Sequence, residues 1–151
     1  MDDPTYEAEY LRGIEHFNAH EFFEAHDAWE AVWVRSASPD RLFYKGLIHA
    51  AVALHHLGNG NLTGARKLAG SCLRYLRPYA PRHLGLDIGA FLSELHHCCA
   101  ELLEPGSRAT DVRLDPARIP VITIQSRGEP TNLAMTDLRP QSLAAVDGRE
   151  T

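Results

Sequence analysis

The sequence predicts an all-α fold: a single-domain, up-and-down helical bundle of about five helices with an irregular C-terminal arm. Three observations carry this. Apolar residues recur at three- and four-residue spacing through most of the first hundred positions, the period of a helix with one buried face. Short runs of cap and turn residues interrupt that period: Asn18, Ser38-Pro39, Gly58-Asn59-Gly60-Asn61, and Pro78 with Pro81. After Pro105-Gly106 the period disappears. A chain of 151 residues with 44% hydrophobic content is of single-domain size and can bury one core.

The first helix is expected over about residues 5–16, where Tyr6, Tyr10, Ile14 and Phe17 keep helical spacing. Asn18 followed by Glu21 reads as a capping box, and Phe17 with Phe22 as a hydrophobic staple, so the second helix should start at the Asn18 cap and run to about residue 35. Ser38-Pro39 reads as a cap with proline at the first helical position, opening a third helix to about residue 57. That helix is apolar nearly all round, through Leu42, Phe43, Leu47, Ile48, Val52, Ala53, Leu54 and Leu57, and is expected at the centre.

Gly58-Asn59-Gly60-Asn61 offers residues that accept positive φ and then a new cap, which predicts a tight turn into a fourth helix over about 62–77. Its small residues Gly64, Ala65, Ala69 and Gly70 point to close packing on the third helix. Asp87 should cap a fifth helix to about residue 103. The expected division is a bundle domain over 1–105, an irregular arm packed on it over 106–125, and a disordered tail over 126–151.

Composition removes several classes of function. No run of about 18 apolar residues exists to span a bilayer, and Met1-Asp2-Asp3-Pro4 lacks the basic and apolar parts of a signal peptide, which points to the cytoplasm. Three cysteines without a Cys-x-x-Cys pair read as reduced core thiols. A net charge of −5 argues against nucleic-acid binding. The charge is unevenly spread, with nine acids against Arg12 in residues 1–30 and eight bases against Asp40 in residues 31–86. The two halves can pack on one another, or on a second copy in a homodimer. An RNA- or anion-binding face of Arg66, Lys67, Arg74 and Arg77 is the alternative use of the basic half.

The chemistry-bearing stripe is on the second helix. His26, Glu30 and Trp33 fall at i, i+4 and i+7, so an imidazole, a carboxylate and an indole share one side. The pair can be a packing device, with Glu30 holding one tautomer of His26, or part of a ligand pocket. As a divalent-metal site it needs a third ligand, because zinc takes at least three protein donors. The central helix offers His56 and His49, with Lys45 one turn earlier. His26, Glu30, Trp33 and His56 are therefore the pocket candidates, and His26, Glu30 and His56 the metal candidates for a binder or hydrolase. No phosphate loop or nucleophile elbow is present, and the balance is against an enzyme.

The ordered set Phe23-Glu24-Ala25-His26, Trp29-Glu30, Trp33, Arg41, Gly46-Leu47-Ile48, Leu54-His55-His56 and Gly60-Asn61-Leu62-Thr63-Gly64-Ala65 resembles the family known as domain of unknown function 309. The resemblance covers about residues 8–105. It implies a compact helical bundle with a His-x3-Glu-x2-Trp motif, carried here by His26, Glu30 and Trp33, and it implies no activity. Two positions depart from the family pattern: Asp27 stands where glutamate is expected, and His49 where glutamine is usual.

Overall fold

A computed structural model describes residues 6–106 and 111–125. It contains α1 (Ala8–Asn18), α2 (Phe22–Trp33), α3 (Arg41–Gly58), α4 (Leu62–Leu76), a short antiparallel hairpin of β1 (Arg82–His83) and β2 (Leu86–Asp87), α5 (Ile88–Cys98) and α6 (Ala100–Leu103). The all-α expectation holds, with α3 packed between α2 and α4. Fully buried large side chains come from all six helices, among them Tyr10, Phe17, Trp29, Phe43, Leu47, Leu54, Leu76, Ile88, Leu95 and Leu102. Cys72, Cys98 and Cys99 are free and buried, as expected of core thiols. No helix among the described residues is long and apolar enough to cross a membrane.

The α1–α2 junction differs from the capping-box expectation. Asn18 is the last residue of α1, and α2 starts at Phe22. The helix ends in a left-handed turn at His20, φ 63°. There Glu21 N–H donates to the His16 carbonyl at 2.8 Å and His20 N–H to that of Phe17 at 3.0 Å. This is a Schellman ending. The same pair of bonds closes α3 around Gly60, where Asn61 N–H reaches His56 O at 2.9 Å and Gly60 N–H reaches Leu57 O at 3.2 Å. Glu21 bonds His16 Nδ1 at 2.7 Å instead of completing a box. The staple contact forms nonetheless, with the Phe17 and Phe22 rings 5.3 Å apart.

Asn18 is released for a longer-range role. Its amide Nδ2 donates to the Ile122 carbonyl and its Oδ1 accepts from the Ile122 N–H, both at 2.8 Å, as a neighbouring strand would. Gln125 N–H donates to the Gly85 carbonyl at 2.9 Å, and Ile119 and Ile122 are buried. Val121-Ile122-Thr123-Ile124 is thus held by side-chain and loop partners without forming a strand. The tail over 126–151, expected to be disordered, lies outside the described residues.

Other boundaries move for identifiable reasons. Ser38-Pro39 sits in the turn before α3, and Asp40, next to that helix, gives its carboxylate to His83 Nε2 at 2.8 Å, leaving the helix start without a side-chain cap. Asn61 and Asp87 do cap α4 and α5, accepting from Gly64 N–H and Ala90 N–H at 3.0 Å each. The expected fifth helix breaks at Cys99 into α5 and α6. The β1–β2 hairpin was not expected, because its turn places Leu84 as well as Gly85 at positive φ. Leu42, expected in the core, is 49% exposed. Close packing of α3 on α4 is realised at Gly46, where a Cβ would come within 2.6 Å of Leu76, while Gly70 faces open space.

Candidate functional site

The packing of α2 decides what its polar stripe meets. Phe22, Ala25, Ala28, Trp29 and Val32 face inward, which rotates His26 to the margin of the core and Asp27 and Glu30 to the surface. The His26 side chain is 21% exposed, that of Glu30 49%. His26 Nε2 lies 3.9 Å from Glu30 Oε1, beyond hydrogen-bond length. His26 Nδ1 lies 3.2 Å from Asp27 Oδ1, but the two are not aligned as a hydrogen bond, so Nδ1 is buried without a partner. The expected satisfied pair inside the bundle is thus replaced by a half-open cluster.

One ligand atom from each of His26, Asp27 and Glu30 lies within 4.8 Å of the others. Spacing alone passes over Asp27, because residues one apart project about 100° from each other on a helix. Its carboxylate reaches back along the helix surface to His26. The only signal in the sequence was the departure of Asp27 from the family pattern.

The central helix contributes differently from expectation. His56 is not in the cluster: it turns toward the start of α4, with Nδ1 3.4 Å from Asn61 Nδ2 and its ring against Gly64. His55 approaches α2 through Phe23. The Phe23 ring lies 5.5 Å from that of His26 and 5.7 Å from that of His55. His49 points to α4, where its Nδ1 is 2.7 Å from Ser71 Oγ. Ser71 Oγ donates to the Leu68 carbonyl at 3.2 Å, which assigns Nδ1–H of His49 as the donor to it.

Burial lowers the pKa of His49 from its ordinary 6.5, and the positive charges of Lys45 and Arg74 lower it further. The unfolded chain therefore binds more protons than the folded one. This contribution to stability is complete above pH 6.5 and is lost as the pH falls below it toward the folded-state value. His49→Gln, which keeps a donor for Ser71, is expected to flatten the acid side of the stability profile measured by urea unfolding at several pH values. An unchanged slope between pH 6.5 and 5 would contradict this assignment.

Trp33 closes the other end of the stripe. The Arg41 guanidinium lies 4.2 Å over its ring, tied down by bonds from Nη1 to the carbonyls of Trp33 at 3.0 Å and Ser36 at 3.3 Å. Trp33 Nε1, like His26 Nδ1, is buried without a hydrogen-bond partner. The basic face proposed from sequence is divided: Arg66 Nε bonds the Leu102 carbonyl at 2.9 Å, whereas Lys67, Arg74 and Arg77 are exposed. A cavity of about 320 Å³ bounded by Glu7, Arg35, Asp40 and Tyr44 holds none of the stripe residues.

Fold and cluster together define a class: a small helical-bundle protein with a His/Asp/Glu group on the outer side of its second helix. Residues 10–68 match the family described as Domain of unknown function (DUF309), which bears out the resemblance and encloses the whole cluster. The chain is also similar to the Uncharacterized protein YpuF of Bacillus subtilis (strain 168), at 33% identity over 103 residues. That alignment covers 66% of this chain and 59% of the relative, less than two thirds of the relative's own length.

Proposed function

We propose that the protein is a metal-binding helical module in which His26, Asp27 and Glu30 hold a divalent cation and leave its remaining positions open to a small ligand. The observation that carries this reading is the buried, unpartnered Nδ1 of His26 with the exposed Asp27 carboxylate 3.2 Å from it, and the exposed Glu30 carboxylate 3.9 Å from Nε2 of the same ring. A buried polar atom without a partner is costly, and coordination would use one imidazole nitrogen while the carboxylates offset the cation's charge. One nitrogen and two oxygens suit zinc, manganese, iron(II) or nickel. The ligand atoms need only modest side-chain rotation to reach a common ion, because one from each residue already lies within 4.8 Å of the others. A purely structural pair is less well supported, since Glu30 is half exposed and too far from Nε2 to bond it. Whether the ion serves binding or hydrolysis depends on what fills its open positions.

Untagged, EDTA-treated protein is expected to gain thermal stability on titration with zinc or manganese, by about 2.7 kcal/mol when the free metal is a hundredfold above Kd. Asp27→Asn and Glu30→Gln should abolish the gain yet keep metal-free stability within about 0.5 kcal/mol of the parent, since both side chains are exposed. No gain in the parent, or the same gain in both variants, would overturn the proposal. The division of charge also supports a homodimer reading, although one cross-half pair, Arg35 with Glu7 at 2.8 Å, forms within the chain. Sedimentation at low and high salt distinguishes a charge-held dimer from a monomer.

A further inference from the structure

We infer that the outer face of α2 pairs with the same face of a second copy of this chain, antiparallel about a two-fold axis, when a divalent cation occupies the His26, Asp27 and Glu30 cluster. Phe23 and Val34, 55% and 64% exposed, belong to the exposed large apolar side chains of the described residues, and both lie on this face. Val34 follows α2 directly and keeps helical backbone angles, φ −65° and ψ −22°. At about 100° of rotation per residue, Phe23, Asp27, Glu30 and Val34 fall within about 60° of one another and form a stripe about 16 Å long. The Phe23 ring is held in its exposed position, with its centroid 5.5 Å from that of His26 and 5.7 Å from that of His55.

The spacing along the stripe selects the second copy. Phe23 and Val34 are equally far from the point between Ala28 and Trp29, and so are Asp27 and Glu30. An antiparallel two-fold through that point sets Phe23 against the partner's Val34, Val34 against the partner's Phe23, and Asp27 against the partner's Glu30. Apolar ends then meet apolar ends, while carboxylates meet carboxylates at the centre. Without a cation that centre is repulsive, because residues 22–33 carry the exposed acids Glu24, Asp27 and Glu30 and no lysine or arginine. A bound divalent ion reverses the sign of the contact. Each chain offers it one ligand atom from each of three residues, short of the four donors zinc takes or the six that suit manganese. A carboxylate of the partner fills one of the positions left open. The inference rests on the metal reading of the cluster and adds what closes over it.

The test uses the full chain, stripped with EDTA and then supplied with manganese, zinc or magnesium at one ionic strength, and follows sedimentation velocity and thermal unfolding in parallel. A monomer is expected in EDTA and a dimer with manganese or zinc. Magnesium screens the carboxylates equally but keeps its water and favours all-oxygen sites, so the monomer should persist with it. Phe23→Ser and Val34→Ser, which leave the three ligands in place, should each weaken the metal-dependent dimer about tenfold or more and retain the metal-induced rise in transition temperature. Val121→Ser, at a 65% exposed apolar position on the arm, should leave the dimer unchanged. A thermal rise with manganese or zinc but no dimer, or a dimer as tight in Phe23→Ser and Val34→Ser as in the parent, would overturn the inference and leave the metal reading standing. Absence of both the rise and the dimer would overturn the two together. Equal dimerisation in EDTA or with magnesium would assign the contact to another face or to charge screening, and would also overturn it.

Discussion

Gly13→Ala is expected to destabilise the protein by about 2–3 kcal/mol, even though alanine is the better helix former by nearly 1 kcal/mol. A Cβ on Gly13 would lie 2.2 Å from Trp29 Nε1 and 2.4 Å from its Cδ1. Trp29 is fully buried, so its indole cannot swing into solvent. It is also anchored, since Nε1–H donates to the Tyr10 carbonyl at 3.1 Å one turn before Gly13. The methyl group must push α1 away from α2 or force the indole off its rotamer, and either response breaks that bond. Urea unfolding followed by tryptophan fluorescence measures the loss. A variant as stable as the parent would show that the α1–α2 spacing is not set by the absence of a side chain at Gly13.

The largest loss, about 3–5 kcal/mol, is expected for Phe17→Ala. Phe17 is fully buried, and its ring lies 5.3 Å from Phe22, 5.8 Å from Trp29 and 5.8 Å from Phe91. It therefore joins α1 to two parts of α2 and to α5. Truncation removes the buried ring and leaves a cavity bounded by large aromatic residues that cannot collapse into it without moving a helix. Calorimetry should show a strongly lowered transition temperature, and Phe17→Leu, which refills part of the space, a smaller drop. A loss below 1 kcal/mol would mean that the surrounding rings repack freely. Both substitutions lie far enough from Glu30 and Asp27, which point outward from α2, that the metal-site variants report on a different property of the same helix.

Much of the bundle was legible because helical period and local capping are short-range. Asn61 and Asp87 cap where their spacing from the next apolar run said they would, since a side chain and an amide three residues apart need no third partner. The same reasoning failed at Asn18. A glycine in the left-handed position announces a Schellman ending at Gly60, but His20 takes that position at the end of α1 with nothing in its identity to announce it. Asn18 then served a backbone 104 residues away, a contact that no local window contains. The β1–β2 turn was hidden in the same way by Leu84 at positive φ, whose carbonyl is held by the Tyr10 hydroxyl at 2.8 Å.

For the candidate site, residue types along one helix face can be read from spacing, and His26, Glu30 and Trp33 do share a side of α2. Spacing carries no information about how far that side is turned into the core, because the helix can rotate about its axis at little local cost until its partners lock it. Packing of Trp29 on Gly13 and Phe17 locks α2 so that His26 lies at the margin, Glu30 in solvent and Asp27 beside the imidazole. The choice among central-helix residues was likewise tertiary. His55 and His56 differ by one step of helical rotation, and the position of α4 draws His56 to Asn61 while His55 faces Phe23. Period and caps depend on neighbours a few residues apart, whereas the depth and company of a polar side chain depend on the rigid-body placement of whole helices.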